Sequence, residues 1–370
     1  MKKLGFGLMR LPLTDSGDNG SIDQKIVDKM VDYYLEYGFA YFDTAYVYHA
    51  GMSEISARKA VVERYRRDKF SITDKMPTWL VTSASDYEKI FTEQLARCGV
   101  EYFDYYLLHN IGIKRYTDTR QSGGFEFMRK IREEGRAGHV GFSYHDKAEL
   151  LDRILTEHPE MEYVQLQINY MDWENEAIQS RKCYETARKH GKPVIVMEPV
   201  KGGSLAGVPQ EADKLFRMSR PGMSAVSWAI RFAASLEGVF MVLSGMSDFE
   251  QVADNVSYMC DFVPLSDKER ETINKVAAII DGNMAIPCTS CGYCFDGCPR
   301  RIPIPQYFAL YNNQKQFGLL PNQMAYYMNL TQEHGTASDC CECGQCEEHC
   351  PQHIDIAEQM KEVAGVFDSR

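Results

Sequence analysis

The cysteines of this chain are concentrated near its carboxyl-terminal end. Of 12 cysteines among 370 residues, nine lie at or beyond Cys288, and only Cys98, Cys183 and Cys260 precede them. Disulfides are typical of short secreted proteins, whereas clustered cysteines in a long chain more often bind metal. A chain of this length is also large enough to bury a full hydrophobic core without crosslinks. The pattern therefore predicts a metal-binding module attached to a larger globular part.

Eight of the clustered cysteines form two copies of one motif. Each copy reads C-x2-C-x2-C-x3-C-P, the run that holds [4Fe–4S] clusters in bacterial ferredoxins. The first copy consists of Cys288, Cys291, Cys294 and Cys298, and the second of Cys340, Cys343, Cys346 and Cys350. A zinc site is the alternative, but zinc more often uses two C-x2-C pairs than two runs of four. The repeated motif therefore predicts two [4Fe–4S] clusters.

In two-cluster proteins of this kind, the fourth cysteine of each motif ligates the other cluster. This crossed pattern gives cluster one the ligands Cys288, Cys291, Cys294 and Cys350. It gives cluster two the ligands Cys340, Cys343, Cys346 and Cys298. Cys341 is left over and is not expected to be a ligand. Helix-like segments between the two motifs resemble a helical two-cluster ferredoxin module more than a compact β-hairpin ferredoxin.

Eight strand-like runs precede the cysteine motifs. They are Leu4–Leu11, Phe39–Asp43, Phe70–Lys75, Tyr105–His109, His139–Ser143, Tyr163–Gln167, Pro193–Met197 and Val239–Leu243. Most are continuous apolar runs, as expected for parallel strands that are covered on both faces. Helix-like segments lie between them, among them Ser53–Tyr65, with Ser53 as the expected N-cap, and Ser83–Cys98, which ends before Gly99.

Strands that alternate with helices in about 250 residues predict a (β/α)8 barrel. A doubly wound sheet is the alternative, but no G-x-G-x-x-G follows the first strand. A last helix-like segment, Ser266–Asp281, is followed by a stretch rich in helix-breaking residues. We therefore expect a barrel over residues 1–282 and a mainly helical ferredoxin-like domain over residues 283–370.

Charge and hydropathy exclude several classes of partner. The formal net charge is −11, so the chain lacks the basic surface that binds nucleic acid or anionic membranes. No apolar run reaches the roughly 18 residues that span a bilayer. The amino-terminal residues contain no apolar segment typical of a signal peptide. Because clusters of this kind are damaged by oxygen, we expect a reducing cytoplasm.

Four polar side chains lie at or just beyond successive strand ends: Asp43, Tyr48, Lys75 and His109. Catalytic groups collect at the carboxyl ends of barrel strands. Reduction of a carbonyl by hydride needs a proton donor, and a Tyr can serve if a nearby Lys, held by a carboxylate, lowers its pKa. A His can orient the carbonyl oxygen. Single Tyr and His residues are more often structural, so the prediction depends on their shared placement.

With these residues and motifs, residues 1–282 resemble an aldo-keto reductase. The opening Leu4–Pro12 and the five-residue step from Asp43 to Tyr48 fit that family, and further motifs follow in family order. The resemblance implies a (β/α)8 barrel that acts on a small-molecule carbonyl with NAD(P)H. It also implies that Tyr48 is the acid–base, that Asp43 and Lys75 tune it, and that His109 orients the substrate.

The resemblance further implies a set of cofactor-binding residues. Ser143 and Gln165 would hold the nicotinamide carboxamide, and the others are Lys201, Gly202, Gly203, Gly245, Gln251 and Asn255. Met197 stands where the family often stacks a Tyr under the nicotinamide. Gly245 and Gln251 stand where NADP-preferring members carry Lys and Arg, which weakens the preference for NADPH over NADH.

The two halves pose a problem of electron counting. A nicotinamide transfers two electrons as hydride, and a [4Fe–4S] cluster transfers one, so direct coupling needs a carrier such as a flavin. Three hypotheses follow: a redox enzyme whose clusters relay electrons to or from an external carrier, a carbonyl reductase whose clusters are structural or sensing, and a non-catalytic electron-transfer or binding subunit. The four residues at the strand ends favour a catalytic role.

Overall fold

A computed structural model describes residues 2–174, 178–282, 285–288, 293–318, 324, 327–328, 330–331, 334–350 and 352–368. Eight parallel strands close into a barrel in chain order. The strands are β1 Leu4–Gly7, β2 Tyr41–Asp43, β3 Ser71–Met76, β4 Phe103–Ile111, β5 Ala137–Tyr144, β6 Tyr163–Gln167, β7 Val194–Met197 and β8 Val239–Gly245. All eight predicted strands are present, and the predicted fold class is confirmed.

Helices alternate with the strands along the chain and continue after the last strand. They are α1 Gln24–Glu36, α2 Met52–Ala57, α3 Ala84–Cys98, α4 Ile113–Gln121, α5 Gly124–Glu133, α6 Ala148–Glu157, α7 Ser180–Lys189, α8 Gln210–Ser219, α9 Ala225–Ala234, α10 Phe249–Met259 and α11 Asp267–Gly282. Beyond them lie α12 Tyr293–Asp296, α13 Ile304–Phe317, α14 Gln345–Glu348 and α15 Ile356–Phe367. The helical character predicted for the cysteine-rich end is thus confirmed.

Local signals explain some helix boundaries and mislead at others. Helix α3 begins after Ser83, whose side chain forms a capping box with Asp86, and it ends at Gly99, where φ is 69°. The prediction that Ser53 is the N-cap of the preceding helix, α2, is wrong, because α2 begins at Met52. The hydroxyl of Ser53 instead donates to the Leu8 carbonyl at 3.1 Å, which ties α2 to the end of β1.

Large side chains fill the barrel interior. Tyr41, Leu107, Tyr163, Ile195 and Met241 come from five different strands and form one buried cluster. Residues from strands around a closed barrel can meet only in its interior, which is a packed core and not a pore. The cluster therefore closes the barrel below the strand ends and leaves the carboxyl-terminal mouth for a site.

Contacts divide the chain into two compact units. The first contains the residues up to Glu174, Ile178–Gly202 and Val226–Arg270, and the second contains Gly203–Ala225 and the chain from Glu271 onward. The first unit holds all eight strands. The boundary between residues 282 and 283 stays a prediction, since residue 283 is not among the described residues and the second unit also includes residues 203–225 and 271–282.

Aromatic packing forms the core of the second unit. The ring of Tyr327 lies 4.5 Å from that of Tyr307 and 4.9 Å from that of Phe367. The amide side chain of Asn312 on α13 makes two hydrogen bonds to the backbone of Ile286, at 2.7 and 2.8 Å. Because Cys288 follows two residues later, this pair of bonds fixes the start of the first cysteine motif to α13.

Within the described residues, no helix is long and apolar enough to cross a membrane.

The tight pairing of β5 with β6 predicts the effect of one glycine substitution. A Cβ atom added to Gly141 would lie 2.4 Å from the backbone oxygen of Tyr163. We expect Gly141→Ala to lower the free energy of unfolding by about 1–3 kcal/mol, because the added methyl group would force apart two strands that are paired at Gly141 and Tyr163. Thermal unfolding followed by circular dichroism measures the change. Gly207→Ala is the control, since a Cβ there meets nothing within 4 Å; equal midpoints for the two variants would contradict the prediction.

Candidate active site and cysteine recesses

The pleat of the strands builds the site directly above the interior cluster. Side chains two positions apart on a strand point the same way. Asp43 therefore follows Tyr41 into the barrel, His109 follows Leu107, and Gln165 follows Tyr163. Polar residues thus follow the apolar interior residues near the carboxyl ends of several strands, which gives the mouth its chemistry.

A buried ion pair lies at the centre of the site. Lys75 Nζ lies 2.5 Å from Asp43 Oδ1, and the two side chains are 2% and 4% exposed. Lys75 Nζ also donates to the Thr44 carbonyl at 2.6 Å and lies 4.8 Å from the centre of the Tyr48 ring. Burial acts to lower the pKa of Lys75, but the charges of Asp43 and Tyr48 outweigh burial and raise it. The ammonium therefore stays charged beside the phenol.

Tyr48 keeps its proton at neutral pH. Burial raises the pKa of its phenol, and Asp43 adds to this effect, while Lys75 acts to lower the pKa. The sequence predicts that Lys75 lowers this pKa, and that contribution is present but is outweighed by burial. A phenol that is protonated and lies beside an ammonium can donate a proton to an oxygen that gains negative charge.

The loop that carries Tyr48 is held by its neighbour His49, which the sequence analysis missed. His49 and Ala50 have φ values of 51° and 53°, so the chain takes a left-handed turn directly after Tyr48. The imidazole of His49 is buried; its Nε2 accepts from the Leu11 backbone at 3.1 Å, and its Nδ1 lies 2.9 Å from the Asn19 carbonyl. The strained turn was not visible in the sequence, because neither residue is a glycine or asparagine.

His109 completes the predicted group of four. Its ring lies 6.0 Å from that of Tyr48 and 5.2 Å from that of Trp79. Burial lowers the pKa of His109 well below its usual value, and the positive charges of Lys75, His145 and Arg115 add to the effect. The imidazole is therefore neutral, and within the described part of the chain its Nδ1 has no hydrogen-bond partner. The structure thus brings all four predicted residues together at the mouth.

Two predicted cofactor residues lie on adjacent strands next to this group. Ser143 on β5 pairs in register with Gln165 on β6, and both side chains are buried. The hydroxyl of Ser143 accepts a hydrogen bond from the Asn110 backbone at 2.7 Å. The side chain of Ser143 is therefore fixed, and its hydroxyl proton remains able to donate to a ligand.

Lys201 is bound to a carboxylate that the sequence analysis did not single out. Its Nζ lies 2.5 Å from Oδ1 of Asp172, which is buried and also accepts from Gln167 at 3.0 Å and from Asn169 at 2.6 Å. Lys201 and Glu198 both have positive φ, at 51° and 54°. The charge of Lys201 is thus already balanced within the protein.

The remaining predicted cofactor residues differ in their surroundings. Gly202 lies in the first unit with Lys201, whereas Gly203 belongs to the second unit. Gln251 is exposed and bonded to Asp248 at 2.7 Å. Asn255 is buried; its amide donates to Ser244 at 2.6 Å and accepts from the Tyr258 hydroxyl. Both groups of the Asn255 amide are therefore used within the barrel.

Arg10 brings a cation to the glycines of this region. A Cβ atom added to Gly245 would lie 3.1 Å from Cδ of Arg10, and one added to Gly202 would lie 3.7 Å from its Nη2. Arg10 comes directly after β1, which pairs with β8. The sequence analysis found no cation at Gly245, because Arg10 is far from it in the chain and only barrel closure makes them neighbours.

The described motif cysteines line two recesses in the second unit. Cys288, Cys294 and Cys350 line the first recess, which encloses about 280 Å³. The second recess encloses about 360 Å³ and is lined by Cys298, Cys340, Cys343 and Cys346, together with Cys341. Cys291 lies outside the described residues. Each recess thus contains cysteines of both motifs, which matches the crossed arrangement expected from the sequence.

The chemistry of these thiols suits an iron–sulfur cluster. Burial raises the pKa of Cys346 to about 11, with further contributions from Glu347, Cys298 and Cys340. Crowded, buried thiols of this kind become thiolates only when a cation compensates their charge. Five cysteines line the second recess, and Glu342 is the one carboxylate among its described lining residues, which include no His. This set of donors fits iron–sulfur chemistry.

Family models match both parts of the chain. The model described as the aldo/keto reductase family matches residues 3–278, and the model described as a 4Fe-4S dicluster domain matches residues 287–354. Among curated proteins, the chain is similar to the probable aldo-keto reductase 1 of Glycine max, with 28% identity over 151 residues, 39% of this chain and 41% of the relative.

A second curated relative is the 9,11-endoperoxide prostaglandin H2 reductase of Trypanosoma cruzi. It is 26% identical over 215 residues, which cover 56% of this chain and 65% of that protein. The chain therefore spans less than two thirds of the length of either relative.

Solved structures share the barrel. An aldo-keto reductase from Bacillus halodurans in its holo form superposes with a TM-score of 0.60 at 23% identity, over 74% of this chain and 91% of that chain. An aldo-keto reductase from Klebsiella pneumoniae in complex with NADPH gives a TM-score of 0.59 at 20% identity, over 74% and 90%. At these identities the likeness shows the fold alone.

The predicted family and the iron–sulfur module are confirmed by the two family models, which together span most of the chain. The chain belongs to the aldo/keto reductase family and carries a 4Fe-4S dicluster domain after its barrel.

Proposed function

We propose that the barrel reduces the carbonyl group of a small molecule with NAD(P)H and that Tyr48 donates the proton. The observation that carries this proposal is the contact of a protonated phenol with a buried Lys75–Asp43 pair and a neutral His109 at the mouth of the barrel. We further propose that the motif cysteines hold two [4Fe–4S] clusters that exchange electrons with an external carrier.

The roles of the four residues follow from their charges. A bound nicotinamide supplies a hydride, so the carbonyl carbon gains an electron pair and its oxygen becomes an alkoxide unless it is protonated. Tyr48 gives its proton to that oxygen, and the adjacent ammonium of Lys75 stabilises the phenolate that remains. Asp43 keeps Lys75 charged and in place. A neutral His109 donates a hydrogen bond to the same oxygen and fixes its position.

Several side chains at the mouth are suited to hold the dinucleotide. Ser143 and Gln165 are buried hydrogen-bonding groups on adjacent strands, and they would bind the nicotinamide carboxamide. Arg10 supplies the cation that a phosphate group needs beside Gly245. The NADPH complex of the Klebsiella pneumoniae relative supports NADP(H), and NADH remains the alternative.

The crossed ligand sets are proposed for the two clusters: Cys288, Cys291, Cys294 and Cys350 for one, and Cys298, Cys340, Cys343 and Cys346 for the other. Such clusters supply or accept single electrons when they are bound. Exchange with the barrel needs a flavin or another carrier that converts a hydride into single electrons. A reducing compartment such as the cytoplasm would keep the thiolates intact. Structural or sensing clusters are the alternative.

Removal of the Tyr48 hydroxyl tests the proposed acid. We expect Tyr48→Phe to lower kcat for NAD(P)H-dependent reduction of aldehydes by about 100- to 10,000-fold, because His109, the other group proposed to contact that oxygen, is a neutral imidazole that orients the oxygen and does not give up its proton. NADPH binding measured by fluorescence should be unchanged. Tyr46→Phe is the matched control, since the Tyr46 hydroxyl donates to Glu93 at 3.0 Å and not to the site. A Tyr48→Phe variant with full activity would exclude the proposed role.

The buried ion pair predicts a separation between stability and activity. Lys75→Met leaves the Asp43 carboxylate buried without a counter-charge, so we expect a loss of about 3–5 kcal/mol in the free energy of unfolding. The double variant Asp43→Asn/Lys75→Met should regain most of this stability. The single and the double variant should both lack reductase activity. Urea denaturation and steady-state assays measure the two properties.

A surface lysine gives the control for this charge removal. Lys189 pairs with Asp152 at 2.9 Å and its side chain is 70% exposed. Lys189→Met should cost at most about 1 kcal/mol. If Lys75→Met cost no more than this, Asp43 and Lys75 would not form the buried pair on which the mechanism depends.

The two recesses predict the cluster content and its ligands. Protein purified without oxygen should contain about eight iron and eight sulfide per chain. Cys298→Ser and Cys343→Ser, although they lie in different motifs, should remove the same cluster and leave about four iron. Cys341→Ser is the adjacent control and should keep about eight. Iron and sulfide analysis with electron paramagnetic resonance of the reduced variants distinguishes these outcomes.

Other results of the same experiment would overturn parts of the proposal. Loss of different clusters in Cys298→Ser and Cys343→Ser would exclude the crossed ligand sets. About two zinc ions without sulfide would exclude the clusters altogether. Absence of any released flavin would count against electron relay to the barrel and favour structural or sensing clusters.

A further inference from the structure

Arg115 lies beside the proposed catalytic group. It is in the first turn of α4, directly after β4, the strand that carries His109. Its guanidinium lies 4.9 Å from the centre of the Trp79 ring, and that ring lies 5.2 Å from the His109 ring. Its Nη1 donates to the Asn110 carbonyl at 3.2 Å. The Trp79 ring therefore lies close to both the guanidinium of Arg115 and the imidazole that would bind the carbonyl oxygen.

The charge of Arg115 is not balanced by a carboxylate. Among the described residues, no acidic side chain lies within ion-pair distance of its guanidinium, although the side chain is half-buried. Other cations near the mouth differ in this respect, since Lys75 is paired with Asp43 and Lys201 with Asp172. Burial lowers the pKa of Arg115, and no acidic neighbour opposes the shift. A guanidinium nevertheless stays charged in proteins.

The surroundings of Arg115 favour an anion at one side of the pocket. The positive charges of Arg115 and Lys75 both act on His109, so the His109 side of the mouth is electropositive. Besides Asp43, the carboxylate that raises the pKa of Tyr48 is that of Glu198. Glu198 follows β7, whereas Arg115 follows β4. An anionic group of a substrate is therefore favoured beside Arg115 and disfavoured beside Glu198.

We infer that Arg115 binds a carboxylate of the substrate, so that the site reduces carbonyl compounds that also carry a carboxylate group; this inference rests on the proposed carbonyl reduction. The planar guanidinium presents parallel N–H donors that match the two oxygens of one carboxylate. A dianionic phosphate would leave its second charge uncompensated. Trp79, which is 39% exposed, supplies an apolar surface for the part of the substrate that joins its carboxylate to its carbonyl group.

A binding experiment tests Arg115 independently of turnover. Benzoate and benzamide have nearly the same shape, and only benzoate is charged. We expect the cluster-containing protein, in the presence of NADP⁺ or NAD⁺, to bind benzoate about 10- to 100-fold more tightly than benzamide. Isothermal titration calorimetry measures both affinities. Arg115→Gln should abolish this preference, and Arg115→Lys should retain part of it, because the charge remains and the forked donors are lost.

A residue on the same helix supplies the matched control. Arg120 on α4 pairs with Glu157 at 3.4 Å, and its side chain is 53% exposed. Arg120→Gln removes the same charge from the same helix and should leave the preference for benzoate unchanged. Circular dichroism of all variants shows whether α4 remains folded.

Turnover of a matched pair of aldehydes connects this binding to the reaction. We expect the value of kcat/KM for 4-carboxybenzaldehyde to exceed that for its neutral methyl ester, and this ratio should fall about 10- to 100-fold in Arg115→Gln. The change should appear mainly in KM, since Arg115 contacts the carboxylate in both the ground state and the transition state.

The outcomes separate this inference from the proposed function. If the protein reduces neither aldehyde but loses its preference for benzoate in Arg115→Gln, carbonyl reduction fails and the carboxylate site stands. Equal affinities for benzoate and benzamide, or a preference that survives Arg115→Gln, would overturn the inference whatever the activity. Loss of NADPH affinity in Arg115→Gln with an intact benzoate preference would assign Arg115 to the cofactor and would equally overturn it.

Discussion

Closure of eight parallel strands into one barrel is the constraint on which the site depends. Parallel strands bring all their carboxyl ends to the same mouth, and the pleat points every second side chain inward. Asp43, Lys75 and His109 are far apart in the chain, yet each lies at or near the carboxyl end of its strand. The aromatic cluster beneath them fills the interior, so ligands can approach these residues only from the mouth.

The cationic side chains at this mouth differ in whether a carboxylate of the protein is paired with them. Lys75 and Lys201 each lie 2.5 Å from a buried aspartate, so each is already engaged in an ion pair within the protein. Arg115 lies over an aromatic ring, and Arg10 lies against two glycines. The two lysines thus hold the shape of the site, and the two arginines provide positive charge on opposite parts of its rim for anionic groups of a cofactor or substrate.

The sequence was sufficient for the features that depend on short-range pattern. Continuous apolar runs predicted all eight strands, and the step from Asp43 to Tyr48 predicted residues that the structure brings together. Contacts made by barrel closure were not predictable in this way. Arg10 meets Gly245 only because β1 pairs with β8, and Asp172 meets Lys201 only through the loops after β6 and β7. Ser53 was wrongly expected to be an N-cap, because a serine before an apolar run looks the same whether its hydroxyl bonds its own helix or the Leu8 carbonyl.

The arrangement of the two recesses bears on the problem of electron counting. Ile304 and Ile356 line both recesses, so clusters held there would be separated by a single layer of apolar side chains. Each cluster stores one electron, and the pair would together store the two electrons that one hydride carries. Once a flavin or another carrier has converted a hydride into single electrons, a pair of adjacent clusters would hold both of them until a one-electron carrier accepts them. The repeated cysteine motif is therefore the basis on which we propose electron transfer in preference to structural support.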